Sequence, residues 1–228
     1  MMILKKNEFI DLEFTARIKE TGIIFDTNVK ANAKEVGLEE VRPLRVCIGE
    51  GMVLKGFDSA LEGKEIGKDY EVEINAENAF GKRDPSLIKT IPVSVFLEKE
   101  VNPYPGMILN LDGIIARISS VSGGRVLTDF NNPLAGKTVI YEFKVLKKIE
   151  DKTEKLKILS EFYIGADKFE LKEDKAVFSG TFHKKAFELL SKKAKELLSI
   201  NVEIGAKLVK KNIDENTVEV GGIKVSKA

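Results

Sequence analysis

One histidine, His183, and one cysteine, Cys47, are the whole supply of imidazole and thiol in this chain of 228 residues. A histidine cluster, a cysteine-based zinc site and an internal disulfide are therefore excluded, and no Cys/His nucleophile pair is read from the two. Gly136-Lys137-Thr138 lacks the glycine five residues before it that a phosphate-cradling loop needs, and no dinucleotide fingerprint follows a strand-like run. His183 stands near the start of a helical pattern and reads as a surface or half-buried residue, and Cys47, between Val46 and Ile48, reads as strand packing. What recurs instead is short groups of aromatic and aliphatic side chains with an occasional acid: Phe25-Asp26-Thr27, Val53-Leu54-Lys55-Gly56-Phe57 and Ala79-Phe80-Gly81. Chemistry with that equipment has to work without a nucleophile, a metal or a cofactor. Read alone, aromatics at alternate strand positions are ordinary core, and Asp26 could merely cap a turn.

The elements that would carry these groups are mostly strands. Residues 8–19 alternate apolar and polar after Phe9, the period of a half-buried strand, with Thr21-Gly22 as a turn and Ile23-Ile24-Phe25 resuming extended structure. Residues 41–48 form a second candidate strand, ended by Gly49-Glu50-Gly51. Val53, Leu54, Phe57, Ala60 and Leu61 then fall at helical spacing, with Gly63 at the helix end. Residues 70–74 alternate again, and 138–146 read as a closing strand.

Between them, residues 86–130 make a block of their own, in which Asn102-Pro103-Tyr104-Pro105-Gly106 is a rigid loop and Asp112-Gly113 and Gly123-Gly124 are hairpin turns. This predicts an inserted antiparallel sheet. Residues 149–155 are charged and read as a linker. Beyond it, Phe182, Ala186, Leu189, Leu190, Ala194, Leu197 and Leu198 make one apolar stripe of an amphipathic helix. Short strand candidates surround that helix: 169–171, 202–209, and a Gly221-Gly222 hairpin between Val218-Glu219-Val220 and Ile223-Lys224-Val225.

The bulk composition bounds the reading. With 43% hydrophobic and 32% charged residues the chain has material for a sizeable core. Its 37 basic and 36 acidic side chains nearly cancel, so a general nucleic-acid partner is not expected. No apolar stretch approaches the roughly 18 residues of a membrane span, and the opening Met1-Met2-Ile3-Leu4-Lys5-Lys6 has no secretory pattern; a cytoplasmic protein is the expectation.

The motifs, taken in order, resemble the FKBP-type prolyl isomerases, and especially the long, SlyD-like and archaeal forms with an insert in the flap. The matching series is Phe25-Asp26-Thr27, Pro43-Leu44 followed by Gly49, Val53-Leu54-Lys55-Gly56-Phe57, Leu61-Glu62-Gly63, Ile66-Gly67, Ala79-Phe80-Gly81, and Asn132-Pro133-Leu134-Ala135-Gly136-Lys137 with its strand to Tyr141. The family's insertion point falls where 86–130 interrupt the pattern, and the C-terminal third is not covered.

The resemblance implies an α+β fold, an antiparallel sheet wrapped on a short helix, built from 1–85 and 131–150, with 86–130 as an inserted chaperone lobe and 155–228 as a C-terminal α+β domain. It also implies an apolar pocket of Phe14, Phe25, Leu44, Val53, Leu54, Phe57, Phe80, Leu134 and Tyr141, with Asp26 as its acid and the Leu54 N–H as donor to a bound carbonyl. Phe14 and Phe80 stand where the family often has tyrosine. The implied activity is cis/trans isomerisation of X-Pro bonds in unfolded or partly folded chains, held by an inserted surface drawn from Val93, Val95, Phe96, Leu97, Ile108, Leu109 and Ile114. A non-catalytic holding chaperone or assembly module on a degenerate fold is the alternative, and a regulatory binder docking through the C-terminal unit a third reading. No cofactor or membrane partner is expected. Some relatives carry a nickel-binding histidine tail; residues 221–228 hold no such ligand, so metal is expected to be irrelevant. Self-association through the C-terminal unit is expected, because a core that small often gains stability from a partner.

Overall fold

Phe9, Ile10 and Leu12 are all fully buried, although strand period puts Phe9 on one face and Ile10 and Leu12 on the other. The first strand must therefore be covered on both sides at its start. The computed structural model, which describes residues 3–111, 113–205, 217–220 and 223–226, shows how.

Strands β1 (Phe9–Ile18), β2 (Ile24–Thr27), β3 (Leu44–Cys47), β4 (Asp69–Ile74) and β9 (Val139–Ile149) form one antiparallel sheet. Strand β9 runs between β1 and β4. On the other edge of β1, β3 pairs with Phe9–Leu12 and β2 with Thr15–Arg17, so the two short strands share that edge end to end. Helix α1 (Lys55–Leu61) lies against the inner face, Phe57 touching the rings of Phe14, Tyr141 and Phe143. Gly56 makes that approach possible: a Cβ there would lie 2.3 Å from Ile74 Cγ2 on β4.

The other face of the sheet is covered by the C-terminal segment. The charged stretch read as a linker instead passes directly into helix α3 (Lys152–Ile164), because the Asp151 side chain accepts the Glu154 N–H at 2.9 Å and caps it. Helix α4 (Lys184–Leu198) packs on α3 and on a small sheet of β10 (Phe169–Lys172), β11 (Lys175–Phe178) and β12 (Asn201–Ile204), with β12 parallel to β11. The expected stripe of α4 needs one correction: Leu189 is 50% exposed, while Phe187, Leu190, Ala194 and Leu198 are buried. Phe9, Cys47 and Ile149, which pair in one row across β3, β1 and β9, share a single core with Leu156, Leu159, Phe178, Phe187 and Leu190. The segment from 155 onward thus builds its core against the sheet rather than standing apart from it, and contacts group it with the sheet: one unit is Met1–Ala79 with Thr138–Asn212, the other Phe80–Lys137 with Ile213–Ala228.

The second unit has its own sheet, in the order β5 (Ile88–Pro92), β8 (Arg125–Asp129), β7 (Ile114–Ser122), β6 (Ile108–Leu111). Gly123 and Gly124, with φ of 54° and 72°, make the two-residue turn that sets Ser122 opposite Arg125. Residues Val93–Leu97, expected within the sheet, form a short helix α2 instead, and Phe96 from it enters a core of Ile91, Ala116, Ile118, Val126 and Phe130. Asp112 of the expected hairpin turn lies outside the described residues. So do residues 206–209 of one expected strand and Gly221-Gly222, although the flanking strands β13 (Thr217–Val220) and β14 (Ile223–Ser226) do pair antiparallel.

Candidate active site

The register across three strands does what no single segment specifies. Ala16 on β1 sits opposite Asp26 on β2 and opposite Tyr141 on β9, so the three form one row across the sheet. Facing side chains in such a row project to the same side. Ala16 places only a methyl group between the carboxylate at the edge and the phenol at the centre. Next to Asp26 the pairing jumps: Arg17 lies opposite Ile24, so Phe25 is the extra residue of a β-bulge. Bulges re-aim side chains, and the Phe25 ring meets Tyr141 edge-on, at 6.3 Å and 76°.

Tyr141 is the hub of an aromatic cluster. Phe57 stacks on it at 4.4 Å, Phe14 at 5.6 Å, and Phe143 meets Phe57 edge-on at 5.2 Å. Tyr70 on β4 extends the set by stacking on Phe143 at 5.6 Å. Phe57 is only 1% exposed, whereas Phe25, Leu44, Val53 and Leu54 are half-buried. Phe143 and Tyr70 were not among the expected pocket residues. The alternation Val139, Tyr141, Phe143, Val145 along β9 is the signal that would have included Phe143.

Hydrogen bonds hold β2, and so Phe25 and Asp26, in place. Where β2 stops and β3 has not begun, the Asn28 side chain fills the gap on the edge of β1: its Oδ1 accepts the Phe14 N–H at 2.7 Å and its Nδ2 donates to the Leu12 carbonyl at 2.9 Å. Thr15 and Thr27, both buried, join their hydroxyls at 2.9 Å, and Asn32 Nδ2 donates to Thr15 Oγ1. On the far side of the pocket, Asp58 of α1 accepts the N–H groups of Gly49 at 2.8 Å and Gly51 at 2.9 Å, fixing the connection that leads to Val53 and Leu54.

The electrostatics follow from this placement. Asp26 is exposed at the sheet edge, yet lost hydration pushes its carboxyl above the ordinary aspartate value, with a hydrogen bond from the Thr27 backbone opposing. Burial raises the Tyr141 hydroxyl strongly, and the neighbouring Asp26 charge adds to that, so it stays a neutral phenol. Burial likewise pushes the Cys47 thiol up to about 12, which leaves it unreactive. Among the described residues no group of three His, Cys, Asp or Glu could hold a metal ion, and no helix is long and apolar enough to cross a membrane.

Two expected pocket residues lie in the second unit. Phe80 and Leu134 are half-buried in turns that the Gly136 N–H joins by donating to the Gly81 carbonyl at 2.8 Å. In the same unit the structure separates surface from core within the inserted segment. Phe96, expected to contact substrate, is 4% exposed and belongs to the lobe's core, because α2 turns its ring inward; Val93, Val95, Leu109 and Ile114 pack partly against that core. Ile108 is 67% exposed, and Leu97, Tyr104 and Ile115 are also exposed.

Residues 2–98 match the family described as FKBP-type peptidyl-prolyl cis-trans isomerase, and residues 89–134 match the one described as FKBP26, IF domain. A short-type peptidyl-prolyl cis-trans isomerase of Methanocaldococcus jannaschii is 32% identical over 147 residues, which span 63% of this chain and 92% of that protein. A probable FKBP-type 16 kDa isomerase of Pseudomonas fluorescens is 29% identical, over 62% of this chain and 89% of its own length. The isomerase SlyD of Helicobacter pylori is 30% identical, over 59% and 69% respectively. With the sheet wrapped on its short helix, and an inserted lobe that matches a family of its own, the chain belongs to the FKBP-type peptidyl-prolyl cis-trans isomerases.

Proposed function

We propose that the peptide bond before proline is twisted against the floor made by Phe57 and Tyr141, with Phe14, Phe25, Leu44, Val53 and Leu54 around the ring and Asp26 at the edge. The observation that carries this reading is the row Asp26–Ala16–Tyr141, in which a small residue stands between a carboxylate and an aromatic cluster. Rotation about an amide must overcome about 20 kcal/mol because the twisted state loses resonance. No bond breaks, so no acid, base or nucleophile is needed. A dry aromatic wall that holds the proline ring, with dipoles that favour the less conjugated amide, binds the twisted state better than the planar one. The Leu54 N–H would donate to the substrate carbonyl. Each tenfold in rate needs only about 1.4 kcal/mol.

The inserted lobe supplies the chaperone part of the reading. Leu97, Tyr104, Ile108 and Ile115 are large apolar side chains exposed on one small unit, a surface suited to apolar segments of unfolded, proline-containing chains. Holding such a segment raises the local concentration of its prolines. A cytosolic setting fits a chain whose one cysteine is a buried thiol. Self-association through the C-terminal segment now rests on exposed Phe162 and Leu189, since the rest of the α4 stripe is covered within the chain. A mass of 25.3 kDa for the full chain by light scattering would remove that part.

The deciding experiment is turnover of a short apolar-Pro peptide by the full chain and by Phe57→Ala and Asp26→Ala variants of verified fold. Measurable turnover, lowered in both variants, is expected. A chain that prevents aggregation but does not turn over the peptide would instead favour a holding chaperone.

A further inference from the structure

The connection between β3 and α1 delivers Val53 and Leu54 to the pocket, and it is gripped from both sides. On one side stands Asp58, described above. On the other stands the C-terminal segment, which contributes nothing to the pocket and lies outside both family matches. Glu50, in the middle of the connection, has a side chain only 5% exposed. The ammonium of Lys193 on α4 lies 2.9 Å from both of its carboxylate oxygens, and the Tyr163 hydroxyl on α3 lies 3.5 Å from one of them. Lys193 also pairs with Glu196 at 3.5 Å, and its hydrogen bond to the Glu50 carboxylate raises its ammonium above the ordinary lysine value. Two residues on, Met52 packs into the core formed by α3, α4 and their small sheet, and its sulfur accepts the Cys47 N–H at 3.3 Å.

A buried carboxylate is tolerated only when it is paired, so Glu50 ties the shape of the connection to the presence of α4. A surface ion pair would be weak and replaceable; this one is shielded on the acid's side and anchored to an element with no other catalytic task. We propose that Glu50, clamped by Lys193 and Tyr163, is a positioning residue for isomerisation: it fixes the 49–54 connection so that Leu54 faces the substrate carbonyl, and through it the C-terminal segment sets the activity of a pocket it does not line. This rests on the pocket reading given above.

The test compares the full-length chain with Lys193→Met, Lys193→Arg, the double variant Glu50→Gln/Lys193→Met, and Phe57→Ala as a reference for the pocket, each with its Tm and with kcat and KM for a short X-Pro peptide well below that Tm. A misplaced donor weakens a contact made mainly in the twisted state, so Lys193→Met should lose on the order of fivefold to tenfold in kcat with KM little changed. Lys193→Arg should recover most of the loss. If Lys193→Met does not fold, the double variant, which leaves no unpaired buried charge, takes its place and should show the same loss in kcat. A lowered Tm with kcat and KM both unchanged, while Phe57→Ala loses activity, would overturn the clamp and leave the pocket standing. Unchanged activity in Phe57→Ala would overturn the pocket and the clamp with it.

Discussion

Asp26 is held above the ordinary aspartate value by lost hydration, and this has opposite consequences for activity and stability. If its charge favours the twisted amide, turnover should fall as pH drops through the raised value, giving an acid limb above 3.8, the ordinary aspartate pKa. Asp26→Asn should abolish that limb and lower the plateau; a pH–rate profile identical in the two proteins would separate Asp26 from the reaction. Stability runs the other way. Within the window between the unfolded and the raised folded value, the native state binds more protons than the unfolded one, so stability declines as pH rises through it. Asp26→Asn removes that penalty and should melt no lower than the parent near neutral pH. Phe57 carries no such trade-off: truncating a ring that is 1% exposed should cost about 3 to 5 kcal/mol, measured by urea denaturation, together with the activity. Phe57, Tyr141 and Asp26 were legible as motif residues. Their meeting point was not, because the row through Ala16 depends on strand register, and the bulge at Phe25 that shapes it leaves no mark in the alternation.

At the level of elements, the neck of the inserted lobe is a knot of side chains. Asn131 Oδ1 accepts the Asp84 N–H at 2.8 Å while its Nδ2 donates to the Asp84 carbonyl at 3.0 Å and to Asp129 at 2.7 Å. Arg83 pairs with Asp129 as well. Burial alone would raise the Asp129 carboxyl, but the bonds from Asn131 and Arg83 outweigh it and hold it below the ordinary value. Its contribution is therefore complete above the unfolded value and lost as pH falls through the depressed one. Asp129→Ala, which takes the acceptor from the Asn131 backbone N–H and one of two from its Nδ2, should destabilise by roughly 1 to 3 kcal/mol, with hydrogen exchange of β5 and β8 as the measurement. Asp84 and Asn131, bonded to each other, bring the two ends of the lobe together, so a short loop can bridge them once the lobe is removed. Replacing residues 86–130 by a short loop should leave most turnover of a short peptide and sharply reduce catalysis of a refolding protein limited by proline; equal retention of both would rule out substrate holding by the lobe. The glycine pair and the loop prolines made this insertion legible. Helix α3 was missed although its cap, Asp151 with Glu154 three residues on, is written in the sequence, because the many charges around it resemble a linker. On α4, Leu189 was counted in the stripe one position away from where 3.6-residue spacing through Phe187, Leu190 and Ala194 puts the buried line.

In the molecule as a whole, strand β9 is the last piece of the main sheet to be written and the one on which it depends. Strands β1 and β4 touch only through it, pairing with residues 139–149 along their lengths. During synthesis, then, everything that precedes residue 139 leaves the ribosome without the strand that joins β1 to β4, while the lobe's core, Ile91 to Phe130, is already complete. Chains fold as their units become available. A nascent chain stalled just after residue 137 should carry a protease-resistant lobe on an otherwise digestible thread, and the sheet should gain protection in one step once β9 has emerged. If the lobe holds substrate as proposed, it would then be in working order before the catalytic half, free to bind the still-unfolded strands of the chain that carries it.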